Sequence, residues 1–328
     1  MKTIAVEEHF LIPAFLTVKR ASGRSMIGIY VDEQKKTIES VFRKMLDLGE
    51  GRLADMDAAG IDMQVLQFSG HFGAMDKDVV TSLARESNDV LAEAIRSHPD
   101  RFSGLAQLPM HDPEKAAAEL ERCVNRLGLK GAVWSGMCNG LFLDDPSFSP
   151  VLAEAERLDV PFYIHPGEPP VELFMAYFSR LPGVAGTLAM PGWGWHVEMG
   201  LHSYRLILSG VFDRFPKLQI IIGHMGENIP YTLARADDWL SPLATYLQRR
   251  VADYFRTNFY INTSGYFTIP PLLCALAVIG ADRIMFGVDY PYSPNPDGRK
   301  FLDSASAYLQ PGDLAKITHK NAERVFRL

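Results

Sequence analysis

Glu7 and His9 close the first apolar run of the chain, TIAVEEH, with one residue between them. His165 ends the run PFYIH, His224 ends LQIIIGH, and Asp289 ends RIMFGVD. Carboxylates and imidazoles are the side chains that bind borderline or moderately hard divalent ions. Any one of these residues taken alone reads more readily as structural. Five of them at the ends of four strand-like runs point to a shared site. Glu7, His9, His165 and Asp289 supply two carboxylates and two imidazoles, a mixed set for one divalent ion, Zn2+ or Mn2+, with positions left open for water or substrate. The two carboxylates offset the ion's charge and weaken it as a Lewis acid, which tilts the choice toward Mn2+. Alternation along a strand places Glu7 and His9 on one side and Glu8 on the other, facing the helix layer or a neighbouring loop in a structural ion pair.

The elements that must position these residues are legible as short β-rich runs, each followed by a helix-like stretch. The runs cover 3–9, 62–69, 102–110, 131–136, 161–166, 218–226, 259–265 and 283–290. Eight strands alternating with helices predict an α/β fold, a (β/α)8 TIM barrel. Their near-continuous apolar character suits a sheet buried on both faces, and no GxGxxG follows the first run, which disfavours an open doubly wound sheet. The C-terminal ends of barrel strands form one face, where active sites sit. The stretch SVFRKMLDLGEGRLADMDAAG closes on Gly60 as a helix C-cap would, and HDPEKAAAELERCVNRLG opens on Asp-Pro and closes on Gly128. Segments 10–37 and 167–200 exceed ordinary loop length and read as lids or interfaces. No repeat or linker divides the chain, so one domain over 1–328 is expected.

With 328 residues and 47% hydrophobic content the chain can bury a large core. A net charge of -6, without a Lys/Arg run, argues against nucleic acid or an anionic membrane as partner. Cys123, Cys138 and Cys274 are few, odd in number and far apart, which suits a reducing, cytoplasmic compartment and gives no CxxC site. No stretch approaches 18 uncharged apolar residues, so neither a signal peptide nor a membrane span is expected.

The order and spacing of AVEEHF, RLADMDAAGID, HPDRFSGLAQLP, VPFYIHP, GVFDRFPKLQIIIGHMGENIPY, NTSG, ADRIMFGVDYPY and NAERVFRL make the chain resemble the amidohydrolase superfamily over nearly its whole length. It is most similar to the branch of metal-dependent aromatic acid decarboxylases that holds the γ-resorcylate, 2,3-dihydroxybenzoate and 5-carboxyvanillate enzymes. The resemblance implies metal binding by Glu7, His9, His165 and Asp289. It also implies a second-sphere His224 paired with Glu227, and an Arg235 that contacts the substrate carboxylate, across a subunit interface in a homodimer or homotetramer. The first ligand position holds Glu7 where many hydrolytic relatives begin His-x-His, and the fourth strand, GAVWSG, has no lysine at its tip. Both features imply a single-metal site. Two positions depart from the resorcylate-type pattern: Ser135 stands for an Asn, and Gly167 and Glu168 follow HP where an Arg is usual; the resemblance implies that these positions shape the pocket, with Ser135 a candidate substrate contact.

The activity that the resemblance implies is non-oxidative decarboxylation of an ortho-hydroxylated aromatic acid, reversible in direction, with a small aromatic acid as partner and no organic cofactor. Asp289 is then the acid that protonates the ring carbon, and His224 holds the phenolate or tunes Asp289, oriented by Glu227. The alternative on the same scaffold is a hydrolase or hydratase of a small cyclic or unsaturated acid, with His224 as general base; a non-catalytic barrel is a third reading. Trp193, Trp195 and Phe10 lie in or beside the long segments and are candidates to stack on an aromatic ring, with ordinary packing as the alternative. His71, in FSGHFG, faces the same mouth by topology. His111, His196 and His202 are read as helix residues, and His98 and His319 as surface ones.

Overall fold

Apolar β-branched runs form the strands where expected, and each is short. The computed structural model describes residues 1–21, 35–73 and 75–328. Strand β1 is Ile4–Phe10, β2 Met63–Phe68, β3 Phe102–Gly104, β4 Ala106–Gln107, β5 Ala132–Ser135, β6 Phe162–His165, β7 Ile220–Ile222, β8 Phe259–Asn262 and β9 Ile284–Met285. The run expected as one strand over 102–110 is interrupted at Leu105, so β3 and β4 are two halves of the third barrel strand. All ladders are parallel, in the orders β1-β2-β3 and β4-β5-β6-β7-β8-β9. The two ladders meet at seams bridged by isolated backbone bonds. Leu105 N donates to Leu66 O at 2.9 Å on one side, and Val6 N to Phe286 O at 3.0 Å on the other. The chain therefore forms a (β/α)8 barrel whose ladder is not continuous around the ring.

Side chains alternate between two apolar layers. Ile4, Val6, Val65, Val133, Tyr163 and Ile221 fill the barrel interior, closed at its base by Phe326. Phe68, Phe102, Phe162, Ile222 and Phe259 pack outward against the helices. Gly60 and Gly128 take left-handed backbone at helix C-termini, and Asp112 caps the helix Pro113–Arg122 by accepting from Lys115 N. The stretch before Gly60 is two helices, Lys35–Met45 and Glu50–Ala59, rather than one.

Both segments expected as long loops carry helix. In 10–37 a helix spans Pro13–Ala21 and another begins at Lys35; residues 22–34 lie outside the described residues. In 167–200 the helices Val171–Tyr177 and Ala185–Ala189 precede Gly194–Leu208. Pro170, Pro182-Gly183 and Pro191-Gly192 punctuate them, which keeps each helix short. Phe174, Phe178, Ala185 and Ala189 give this excursion a small core of its own. Among the described residues no helix is long and apolar enough to cross a membrane.

Candidate active site

Strand β1 delivers its ligands through a bulge. Val6 pairs with Val65 and Glu8 with Leu66, so Glu7 is an extra residue, and its φ of 71° lies in the left-handed region. Simple alternation from Ile4 and Val6, which point into the barrel, would turn Glu7 and His9 outward. The extra residue resets the phase: Val6, Glu7 and His9 all face the barrel mouth. The expected pairing of Glu7 with His9 therefore holds, for a different reason. Phe10, one residue on, is turned outward and buried with its ring 5.6 Å from Phe68, so it is not a wall of the pocket.

Glu8 is buried on the helix side, as expected, but not in a direct ion pair. It accepts from Gln64 Nε2 at 3.1 Å, and Gln64 Oε1 accepts from Arg52 Nη1 at 3.2 Å. Glu8 also accepts from Val288 N at 2.8 Å and Tyr290 N at 3.3 Å, the two amides flanking Asp289. The backbone of Asp289, with φ of 70°, is held from both sides by this carboxylate. Burial pushes Glu8 up to about 8, against those two donors and Arg52.

One ligand atom from each of Glu7, His9, His165 and Asp289 lies within 4.8 Å of the others. His165 Nδ1 contacts Pro166 O at 2.8 Å, which fixes the proton on that nitrogen and leaves the Nε2 lone pair 3.5 Å from Glu7 Oε1. A lone pair and a carboxylate oxygen facing one another need a cation or proton between them. Among the described residues, Glu7 Oε1 and His9 Nδ1 are buried without a hydrogen-bond partner, and His9 Nε2 lies 2.8 Å from Asp289 Oδ1. Burial lowers His9 to about 4 and His165 to about 3, so both imidazoles are neutral near physiological pH and keep lone pairs for a metal. This donor set fits one divalent ion. Burial also raises Asp289 to about 7, against the pull of His224. Gly223 makes room for the Glu7 carboxylate: a Cβ there would sit 2.3 Å from Oε2.

His224 follows β7 in a left-handed turn. His224, Met225, Gly226, Glu227 and Asn228 all have φ between 45° and 83°. That conformation brings Glu227 Oε1 to 2.7 Å from His224 Nδ1. Left-handed backbone costs roughly 1–2 kcal/mol for each of His224, Met225 and Glu227. Two charge-assisted hydrogen bonds to Glu227, at about 1.5–3 kcal/mol each, offset most of it. The second bond comes from His196 Nδ1, 2.6 Å from Glu227 Oε2. Burial disfavours ionised Glu227, but the two imidazoles outweigh it and hold its pKa at about 2. Burial likewise opposes the charge on His224, while Glu227, Glu7 and Asp289 raise it to about 10. His224 Nε2 points at the ligand cluster, 3.8 Å from Glu7 Oε1 and 3.9 Å from Asp289 Oδ2.

A cavity of about 230 Å3 opens beside the cluster, walled by His71, Trp195, His196, His224, Tyr266 and Tyr292. It accommodates a single substituted aromatic ring. His71 lies 6.2 Å from His165, ring to ring. Trp195 is a wall, whereas Trp193, two residues earlier, is half exposed and is not part of the lining. Ser135 pairs with His165 in the β5–β6 ladder and is not part of the cavity lining. A side chain at Gly167 would meet the Gly136 backbone at 2.5 Å, which leaves no room there for the Arg of the resorcylate-type pattern. Arg235 stands on the exposed face of the helix Ile229–Leu240, its guanidinium 4.7 Å over the Trp239 ring and outside this chain's cavity.

His196, Ser264, Tyr266 and Tyr292 carry no sequence signal for the site. His196 is a helix residue, as expected, and its helix begins at the cavity. Ser264, in NTSG, donates to Glu7 Oε2 and accepts from His224 N at 3.1 Å, tying β8 to both. Its only mark in the sequence is its place just beyond a strand end.

The chain is similar to known proteins over its whole length. The γ-resorcylate decarboxylase of Rhizobium sp. (strain MTP-10005) is 38% identical over 99% of this chain and 98% of its own length. The corresponding enzyme of Rhodococcus jostii (strain RHA1) is 37% identical over the same shares. Among solved structures, a 2,6-dihydroxybenzoate decarboxylase complexed with 2,6-dihydroxybenzoate superposes with a TM-score of 0.87 at 36% identity, over all of both chains. The 5-carboxyvanillate decarboxylase of Sphingomonas paucimobilis superposes with a TM-score of 0.90 at 33% identity, over 100% of this chain and 99% of that one. The family described as amidohydrolase matches residues 43–328, and the chain belongs to it.

Proposed function

We propose that this chain is a metal-dependent, non-oxidative decarboxylase of aromatic acids that carry a hydroxyl ortho to the carboxylate. The observation that carries the reading is the convergence of Glu7, His9, His165 and Asp289 within 4.8 Å, beside a ring-sized cavity into which His224 points. A divalent ion held by those four residues would supply Lewis acidity and a fixed point for orienting a carboxylate and its neighbouring phenolic oxygen. A solved dihydroxybenzoate decarboxylase from Polaromonas sp. contains manganese. Mn2+ is the ion we assign here, with Zn2+ as its competitor. Chelated protein reloaded with each ion in turn decides between them: the expected result is faster CO2 release with Mn2+.

The chain's own residues account for the proton. Asp289 receives the phenolic proton as substrate binds and returns it to the ring carbon that bears the carboxylate. The ring loses aromaticity at that step. The bond to the carboxyl carbon then breaks, its electron pair restores the aromatic phenolate, and CO2 leaves; the phenolate takes a solvent proton on release. His224 Nε2 stands beside the reacting oxygen, and Glu227 fixes its orientation through Nδ1. Glu8 keeps Asp289 in place through the flanking amides.

Glu8→Ala strands two backbone donors, at about 1–3 kcal/mol for each buried group. We expect metal affinity to fall roughly 10- to 100-fold, the size seen for residues that orient metal ligands. Titration of the apoprotein with Mn2+ reads this directly, and an unchanged affinity would remove Glu8 from the account.

The reading is tested with a panel in which only the hydroxyl position varies. Ortho-hydroxybenzoates are expected to release CO2 and their meta and para isomers are not. CO2 release without regard to the hydroxyl position, or water addition to a lactone or alkene in its place, contradicts the proposal. The latter outcome would favour the hydrolase or hydratase alternative.

We also propose a homodimer or homotetramer with Arg235 at the subunit boundary. Tyr231 and Trp239 on the same helix, and Leu243 and Tyr246 just after it, are exposed large apolar residues of the kind that pair with a second copy. Sedimentation analysis is expected to show no monomer at micromolar concentration, and Arg235→Ala is expected to raise KM more than it lowers kcat. A monomeric, fully active protein would dispose of the interface.

A further inference from the structure

The two imidazoles of the ligand set are supported unequally. His165 Nδ1 has its acceptor, the carbonyl oxygen of Pro166 at 2.8 Å, which leaves Nε2 to the cluster. His9 also presents Nε2 to the cluster, 2.8 Å from Asp289 Oδ1. Its Nδ1, however, is buried and has no partner among the described residues. An imidazole that gives one nitrogen's lone pair to an ion carries its proton on the other, and that N–H needs an acceptor.

An acceptor stands across the ladder. His9 pairs with Gln67 of β2, and paired residues of parallel strands leave the sheet on the same face, about 4.8 Å apart. Phe10 and Phe68, the next pair, turn outward together, so His9 and Gln67 turn together to the barrel interior. Gln67 is fully buried, and among the described residues neither its Oε1 nor its Nε2 has a hydrogen-bond partner. A buried amide with both ends unmade is rare in a folded protein. On the third barrel strand Ala106 packs outward and Gln107 inward, and Gln107 Oε1 is likewise buried and unpaired. Gln107 itself is fixed: its backbone N–H donates to Asn88 Oδ1 at 2.8 Å, and its carbonyl accepts from Asn88 Nδ2 at 2.9 Å. The four orphaned atoms complement one another, with N–H groups on His9 and Gln67 and oxygens on Gln67 and Gln107.

We propose that Gln67 is the positioning residue of His9. In the ion-loaded protein Gln67 Oε1 accepts from His9 Nδ1–H, and Gln67 Nε2 donates to Gln107 Oε1. These two bonds fix the ring plane of His9 and direct its Nε2 lone pair at the ion, as the Pro166 carbonyl does for His165. Asn88 anchors their far end to the helix Lys77–Ser97. Gln64, on the opposite face of β2, already holds Glu8, so β2 braces both sides of the bulge in β1. The inference rests on the metal-site reading and is independent of the reaction catalysed.

Gln67→Met keeps the length of the side chain and removes both bonds. Wild-type and variant apoproteins are titrated with Mn2+, and the Tm of each apoprotein is recorded. The variant is expected to bind Mn2+ about 10- to 100-fold more weakly. Its apoprotein Tm is expected to be unchanged or raised, because the amide's bonds are unmade until the ion fixes His9. In 15N-histidine-labelled, Zn2+-loaded protein the Nδ1–H signal of His9 is expected to move upfield in the variant, while that of His165 stays. Equal affinities in the two proteins, or an unmoved His9 signal, overturn the proposal. Weaker binding together with a lowered apoprotein Tm would also overturn it, in favour of a purely structural Gln67. A wild type that binds no ion is a distinct result: the metal-site reading then falls, and this inference with it.

Discussion

Asp289→Asn is expected to reduce kcat by roughly 10^3-fold or more while the protein stays folded. An amide matches the carboxyl in shape, and its oxygen can still stand beside His9 Nε2, 2.8 Å from Asp289 Oδ1, as a weaker ligand. It cannot carry a proton to the ring carbon. The left-handed backbone at this position is held by Glu8 through the amides on either side, and Asn tolerates such a conformation better than most residues. The loss should therefore appear in turnover and not in thermal stability. Replacing a carboxylate ligand also weakens the ion's hold, so bound metal must be measured alongside the rate. A metal-loaded Asp289→Asn protein with kcat within about tenfold of wild type would mean that the ring proton comes from elsewhere.

His224→Asn is expected to lose roughly 10^2- to 10^4-fold in kcat with its metal retained, because His224 belongs to no ligand position in this account. Asn is preferred over Ala for a physical reason. Truncation to Ala would leave the Glu227 carboxylate buried with one partner fewer, and breaking a buried ion pair costs about 3–5 kcal/mol. The Asn amide can still donate to Glu227 and accepts the φ of 45° found at this position. The two variants thus separate by metal content: weakened in Asp289→Asn, full in His224→Asn. Loss of the ion from His224→Asn would show that the imidazole is itself a ligand.

The parts of this site that could be read from the sequence share one property, a local signal. Short β-branched runs bounded by Gly and Pro located the strands, and a polar residue just past each run located His165, His224 and Asp289 at the barrel mouth. The parts that could not be read are set by three-dimensional context. A bulge of one residue leaves no compositional trace, so nothing in AVEEHF announces that Glu7 is the residue that resets the phase of β1. The same bulge turns Phe10 away from the cavity. His196 reads as a helix residue, and nothing local tells that the first turn of that helix abuts Glu227. The third strand split at Leu105 because the chain there changes partners from β2 to β5, a property of ring closure and not of local propensity.

We propose that Glu7, His9, His165 and Asp289 hold one ion on which CO2 release depends. Bound metal and CO2 release measured on the same sample of wild-type and Glu7→Gln protein, with an ortho-hydroxybenzoate as substrate, decide it. Glu7 Oε1 faces His165 Nε2 at 3.5 Å, and an amide at this position removes one of the two charges that balance the ion. The expected result is about one equivalent of metal with CO2 released from wild type, and both lost together in the variant. Full activity in wild-type protein stripped of metal, or a Glu7→Gln protein that binds its ion and turns over normally, would contradict it.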